Sequence, residues 1–161
     1  MKTLILAAVL AFTAPVPVAQ AADPDPGAGA VPVAEDATGP VVAVVDAFHA
    51  ALGSGDAGAV LALLAEDLMV LEEGGAERSR EEYAGHHLLA DMAFAAATHA
   101  AVARRSAWIA GDMAWVLSEG RTSGQFNGRA VDRLTAETMI LQRQADGWRI
   151  RHIHWSSRVP R

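Results

Sequence analysis

The sequence predicts an α+β domain in which N-terminal helices pack on one face of a curved, mainly antiparallel sheet. Apolar residues recur at helical spacing in the first half of the domain, and long strand-like segments follow from Thr98 onward. A run of helices followed by a run of strands is typical of the α+β class. The length of 161 residues suggests a single domain of this kind.

Residues 1–21 predict a secretory signal peptide. A short basic start, Met1 to Thr3, precedes the apolar run Leu4 to Ala14, and Ala19-Gln20-Ala21 matches a small-residue cleavage site. We therefore expect cleavage after Ala21 and a periplasmic or secreted product. No later apolar run is long enough for a membrane span, so none is predicted.

Residues 22–38 are rich in Pro, Ala and Gly without a period, which predicts a disordered tether ahead of a domain at residues 39–158. The chain has no cysteine, which excludes disulfides and thiol chemistry. Its formal net charge is −6 and it has no basic cluster, so we expect no nucleic-acid partner.

The first half of the domain predicts three helices and one short strand. The first helix begins near Thr38 to Pro40 and ends at Gly53 to Asp56, and Asp56 caps a second that runs to about Ala65. Leu68 to Glu72 reads as a buried strand. A capping box, Ser79 with Glu82, predicts the start of a third helix over residues 80–97.

Four strands complete the domain, over residues 99–109, 113–124, 129–144 and from Trp148 onward. Asn127-Gly128 and Asp146-Gly147 predict hairpin turns between the last three. Strict alternation along the last strand gives one face Trp148, Ile150, His152, His154 and Ser156, and the other face Arg149, Arg151, Ile153, Trp155 and Ser157.

Four segments carry a family resemblance. They are Val44 to Phe48 with Gly55-Asp56, Leu68 to Glu72, Gly74 to Tyr83, and Asp146 to Ser156. Together they resemble the SnoaL-like branch of the nuclear transport factor 2-like, or cystatin-like, cone folds. The resemblance implies a cone-shaped roll with a small-molecule pocket. It does not imply one particular function, since the family includes steroid isomerases, polyketide cyclases, dehydratases and assembly domains. Its isomerase branch uses an acidic base and a Tyr/Asp oxyanion pair, and Tyr83 is the only tyrosine here.

His152, His154 and Glu72 are the predicted catalytic residues. Two histidines at strand period 2 on the face of Ile150 are expected to look into the cone, where they suit acid–base chemistry. The same pair would suit a metal if a third ligand converged. A structural alternative makes one a hydrogen-bonded core residue and the other a rim residue. Glu72 ranks ahead of Glu119 and Glu137 because it closes the small strand beside the third helix.

Tyr83, His86, His87, Ile150 and Ser156 are the predicted ligand-binding residues. His86 and His87 point about 100° apart on a helix, so at most one faces the pocket. Asp91, four residues after His87, would orient it.

The opposite sheet face predicts a homodimer. Arg149, Arg151, Ile153 and Trp155, with Trp115 and Leu117 on a neighbouring strand, form an apolar surface that seldom stays in water.

The sequence thus favours an exported small-molecule-binding protein of the SnoaL-like type, with acid–base catalysis of the isomerase, cyclase or lyase kind as one reading; it does not decide whether the protein is an enzyme. The alternatives are a non-enzymatic ligand-binding or dimerisation module, and a metal-binding pocket built on His152 and His154. No cofactor is predicted.

Overall fold

The computed structural model describes residues 35–161. The predicted signal peptide, and the predicted tether as far as residue 34, lie outside the described residues. Helix α1 begins at Glu35, so residues 35–38 of the predicted tether are helical. Within the described part of the chain, no helix is long and apolar enough to cross a membrane.

The described residues form four helices, α1 (Glu35–Ser54), α2 (Ala57–Ala62), α3 (Arg80–His86) and α4 (Leu88–Ala97). Asp56 and Ser79 cap α2 and α3 as predicted, accepting hydrogen bonds from the backbone N–H groups of Ala59 and Glu82 at 2.9 and 3.0 Å. The prediction of one continuous third helix is wrong, because the helix is interrupted at His87 and the segment forms two helices, α3 and α4. Helix α2 also ends before Ala65, which already belongs to the first strand.

A curved sheet of six strands has the order β2-β1-β6-β5-β4-β3. The strands are β1 (Leu64–Glu72), β2 (Gly75–Glu77), β3 (Thr98–Ala110), β4 (Met113–Phe126), β5 (Arg129–Gln144) and β6 (Gly147–Arg158). Among the strand pairs of residues 35–161, only β1–β6 is parallel. The predicted α+β class with a mainly antiparallel sheet is confirmed.

The core lies between the helices and the sheet face that they cover, which we call the inner face. Phe48 of α1 packs there with Val116, Met139, Ile150 and Ile153, all five fully buried. Burial of each such side chain is worth about 1.5–3 kcal/mol relative to exposure. The opposite, uncovered side of the sheet is the outer face.

A β-bulge in β6 reverses the predicted assignment of its faces. Leu141 of β5 lies opposite Ile150, but Ile140 lies opposite His152, so Arg151 is an extra residue. Beyond it, Ile153 and Trp155 turn inward, and the alternation places His152 and His154 on the outer face. The prediction that the two histidines share the face of Ile150 is therefore wrong. The prediction that Ile153 and Trp155 face a partner subunit is wrong for the same reason.

Candidate functional site

Five polar side chains gather where β1 and β2 end and helices α3 and α4 meet. We call Glu72, Glu77, Tyr83, His87 and Asp91 the carboxylate cluster. Tyr83 is fully buried, and its hydroxyl donates a hydrogen bond to a carboxylate oxygen of Asp91 at 2.7 Å. Because Tyr83 lies on α3 and Asp91 on α4, this bond spans the break between the two helices.

His87 occupies that break and anchors it to β2. Its Nδ1 donates a short hydrogen bond to the carboxylate of Glu77, which is buried, while the imidazole is half exposed. Because the His87 ring bonds to Glu77, it does not cap the first turn of α4 with a hydrogen bond. The hydrogen bond to Glu77 raises the pKa of His87. The cluster therefore holds one positive charge among three carboxyl groups when His87 is protonated.

Glu72 and Asp91 retain their protons to higher pH than ordinary carboxyl groups. Glu72 is exposed on one side, and partial burial on the other is the main reason that its pKa is raised; repulsion from Asp91 adds to it. Burial also raises the pKa of Asp91, outweighing the hydrogen bond from Tyr83 and the charge of His87, which lower it. The pKa of Tyr83 is raised by burial and by Asp91, so Tyr83 stays a hydrogen-bond donor.

A second polar group, the Glu137 network, is centred on a buried carboxylate of β5. Glu137 accepts hydrogen bonds from His49 Nε2 at 2.8 Å, Trp155 Nε1 at 2.8 Å and Ser118 Oγ at 3.2 Å. Arg105 Nε in turn donates to Ser118 Oγ at 3.0 Å. Burial alone would raise the pKa of Glu137, but the bonds from His49, Trp155 and Ser118 together hold it below its usual range. Glu137 is thus an ionised acceptor, and His49 Nε2 must carry a proton.

One cross-strand row joins the two groups. Glu72 lies opposite Trp155 in the β1–β6 pair, and Trp155 lies opposite Glu137 in the β5–β6 pair. Neighbouring strands are about 4.8 Å apart, which separates the Cα atoms of Glu72 and Glu137 by about 10 Å. The Trp155 ring stacks on Phe48 with a centroid distance of 6.3 Å. The row therefore places an acidic group on each side of a single aromatic ring.

The predicted site residues of β6 do not join this row. His152 donates from Nδ1 to the carbonyl oxygen of Met69 at 3.0 Å, and His154 is exposed on the outer face. Ile150 is fully buried in the core. Ser156 lines a depression of about 460 Å³ on the outer face, beside Ala136. None of these four side chains reaches the carboxylate cluster.

Three other predicted site residues do come together, namely Glu72, Tyr83 and His87. His86 is exposed at the end of α3 and makes no hydrogen bond with the cluster members. The prediction that Asp91 orients His87 is wrong. His87 forms its hydrogen bond with Glu77, and Asp91 forms its hydrogen bond with Tyr83. Among the other strand carboxylates, Glu137 faces inward.

Glu119 lies on the outer face, where its carboxylate is 4.0 Å from the Arg104 guanidinium. Across residues 35–161, no group of three or more His, Asp or Glu side chains is placed to hold a metal ion. The metal alternative at His152 and His154 therefore lacks a third ligand there. A second depression, of about 680 Å³, lies among Arg80, Arg149 and Arg151 beside the first residues of β1 and β6, away from the carboxylate cluster.

Sequence reasoning missed Glu77, the pairing of Tyr83 with Asp91 and the pairing of His49 with Glu137 as site features. The spacing of eight residues between Tyr83 and Asp91 would place both on one side of a helix, so that pair had a weak signal. His49 and Glu137 are far apart along the chain, and no local pattern links them.

Comparisons with known proteins agree with this architecture. Residues 41–160 match the family model of the SnoaL-like domain, so the chain belongs to the SnoaL-like family. A protein from Shewanella frigidimarina, described as a "putative ketosteroid isomerase", is 42% identical with a TM-score of 0.68, over 71% of this chain and 92% of that one. No curated protein sequence matches the chain.

Two more distant structures share the fold. An NTF2-like protein with a cystatin-like fold from Novosphingobium aromaticivorans is 19% identical, with a TM-score of 0.61 over 72% of this chain and 78% of that one. The S. rosetta CaMKII hub is 18% identical, with a TM-score of 0.62 over 74% of this chain and 95% of that one. At this identity the likeness concerns the fold alone.

Proposed function

We propose that this protein binds a small, partly apolar carbonyl compound at the carboxylate cluster and catalyses proton transfer next to the carbonyl group. The observation that carries the proposal is the Tyr83–Asp91 hydrogen bond of 2.7 Å beside Glu72. A buried Tyr–Asp pair near a second carboxyl group supplies a donor for a developing oxyanion and a base for the proton.

The two carboxyl groups divide these roles because they repel each other's charge. Repulsion from Asp91 contributes to the raised pKa of Glu72, so a state with one proton between them is favoured over a state with two charges. We assign the proton to Asp91, which Tyr83 orients, and the base to Glu72, which lies nearer the solvent. Glu72 takes a proton from the carbon, Asp91 donates a hydrogen bond to the enolate oxygen, and Glu72 returns the proton to carbon.

Deuterium uptake by small cyclic β,γ-unsaturated ketones in D₂O, followed by NMR, tests this role. Wild-type protein should accelerate exchange at the α-carbon, and Glu72→Gln should reduce the rate by about 10²–10⁴-fold, the usual contribution of a general base. Glu73→Gln is the matched control, because Glu73 is the next residue in the chain and lies outside the carboxylate cluster. If wild-type protein binds the ketones without exchange, the non-enzymatic binding module is favoured instead.

The proposal includes a homodimer formed through the outer face. Trp115 and Leu117, which were predicted to lie there, are 37% and 38% exposed in the single chain. Large apolar side chains grouped on one surface mark a site of association. The S. rosetta neighbour is itself described as a hub. Export through residues 1–21 is also part of the proposal and rests on the sequence.

A further inference from the structure

The outer face carries a mainly apolar area that includes two histidines. In the strand register, one row consists of Met69, His152, Ile140, Trp115 and Trp108. The next row consists of Leu71, His154, Thr138, Leu117 and Ser106. Met69 and Trp108 are 42% and 43% exposed, which is high for such large apolar side chains. We call these ten residues the outer patch.

Eight charged side chains around the outer patch form four ion pairs. Arg104 pairs with Glu119 and Arg121 with Asp132 towards one end of the face, and Arg151 pairs with Asp67 and Arg149 with Asp146 towards the other. Arg158 lies beyond the patch and donates to the carbonyl oxygen of Val159 at 3.4 Å. Each ion pair is neutral, so two copies of this face do not repel each other strongly.

The size of the face also suits a second copy of the chain. Five strands at about 4.8 Å spacing and about 12 residues at about 3.3 Å each give the whole outer face, of which the outer patch is the apolar part, roughly 24 by 40 Å, or about 950 Å². A standard interface buries about 800 Å² on each partner. The depression of about 460 Å³ beside Ala136 and Ser156 offers room for a side chain of the second copy.

The histidines make such an interface sensitive to protonation. His152 donates from Nδ1 to the Met69 carbonyl oxygen, which leaves Nε2 as the ring nitrogen without a bond to the backbone. The residues facing the two rings from β1 and β5 are Met69, Leu71, Thr138 and Ile140, and none of these is titratable. The nearest carboxyl groups are Asp67, which is paired with Arg151, and Glu73, at the turn after β1.

We infer that the outer patch binds a second copy of the chain at neutral pH and releases it when His152 and His154 become protonated. The inference rests on the proposed homodimer and adds its control by pH. An imidazole titrates near pH 6.5 in water. Its cation would be buried among apolar side chains in the dimer, with no carboxylate from the outer patch to stabilise it.

Sedimentation velocity of the full chain as a function of concentration, at about pH 7.5 and about pH 5.5, tests the inference. We expect the dimer dissociation constant to be at least about tenfold higher at the lower pH, since one pKa unit of coupling corresponds to a factor of ten. In the double variant His152→Gln/His154→Gln this difference should disappear. His86→Gln, which changes an exposed histidine of α3, should keep it.

The possible outcomes separate the two ideas. A dimer with the same dissociation constant at both pH values, or a double variant that still dissociates at low pH, overturns the control by histidine and leaves the dimer standing. A monomer at both pH values overturns the homodimer itself. If loss of the His152 hydrogen bond unfolds the double variant, the single variant His154→Gln replaces it in the test, because His154 is exposed. That variant should lose part of the pH dependence, and an unchanged pH dependence overturns the control by histidine.

Discussion

The hydroxyl of Tyr83 donates a hydrogen bond of 2.7 Å to Asp91 across the break between α3 and α4. This contact ties together two short helices of 7 and 10 residues that would be marginal on their own. It also orients the carboxyl group of Asp91, which we propose donates a hydrogen bond to the enolate oxygen of the substrate. One hydrogen bond therefore serves both the local fold and the proposed chemistry.

Replacing Tyr83 by Phe should destabilise the protein by about 1–3 kcal/mol, because Asp91 loses its partner while it remains partly buried. The ring stays, so the loss reports the hydroxyl group rather than a cavity. Urea unfolding at neutral pH measures it. A variant as stable as the wild type would show that water replaces the hydroxyl group and that the bond is dispensable.

Asp91 and Glu137 should give pH dependences of stability with opposite signs. The folded state raises the pKa of Asp91, mainly by burial, so it binds that proton more tightly than the unfolded chain does. Stability from this group is therefore lost as the pH rises from about 3.9, the unfolded value, through the folded pKa. Asp91→Asn should remove that loss, and its stability relative to wild type should increase with pH.

Glu137 behaves in the opposite way because its folded pKa is lowered. Its stabilisation is present above the unfolded value, about 4.3, and is lost as the pH falls through the folded pKa. Glu137→Gln should be less stable than wild type by about 1–3 kcal/mol at neutral pH, with a smaller deficit in acid. Urea midpoints measured from about pH 3 to about pH 7 test both variants. Parallel pH curves for wild type and both variants would contradict the assignment of these two groups.

The homodimer predicts that a charge on the outer patch separates the subunits. Trp115→Arg should give the mass of one chain in light scattering at micromolar concentration, because an unpaired guanidinium in an apolar interface is costly. Leu89→Arg is the matched control, since Leu89 is 72% exposed on α4 rather than on the sheet. Equal masses for the two variants would argue against the outer patch as the interface.

The predicted signal peptide can be tested by changing single residues at its cleavage site. Expressed in a Gram-negative host, the full chain should yield a product that begins at Ala22. Ala19→Arg should block cleavage because a small residue is needed there, whereas Gln20→Arg changes only the intervening position. Mass spectrometry of the purified protein distinguishes these products. An uncleaved wild-type chain in the cytoplasm would contradict the prediction.

Local patterns in the sequence were sufficient for the α+β class and for most element boundaries. The Ser79 cap and the turn at Asn127-Gly128, whose φ angles are 49° and 75°, depend on residues close together in the chain. The resemblance to the SnoaL-like family likewise came from short segments, and the match over residues 41–160 confirms it. Glu72, Tyr83 and His87 were reached in the same way, from the ends of elements that local patterns had located.

The faces of β6 and the composition of the site were decided by tertiary structure. Alternation with period 2 is reliable only while the register is unbroken, and one extra residue at Arg151 exchanged the two faces beyond it. The bonds from His49 to Glu137 and from Tyr83 to Asp91 depend on how helices pack against the sheet and against each other. By itself, therefore, the sequence determined which elements form and in what order. The bulge and the packing determined that His152 and His154 face outward while Trp155 and Glu137 face inward.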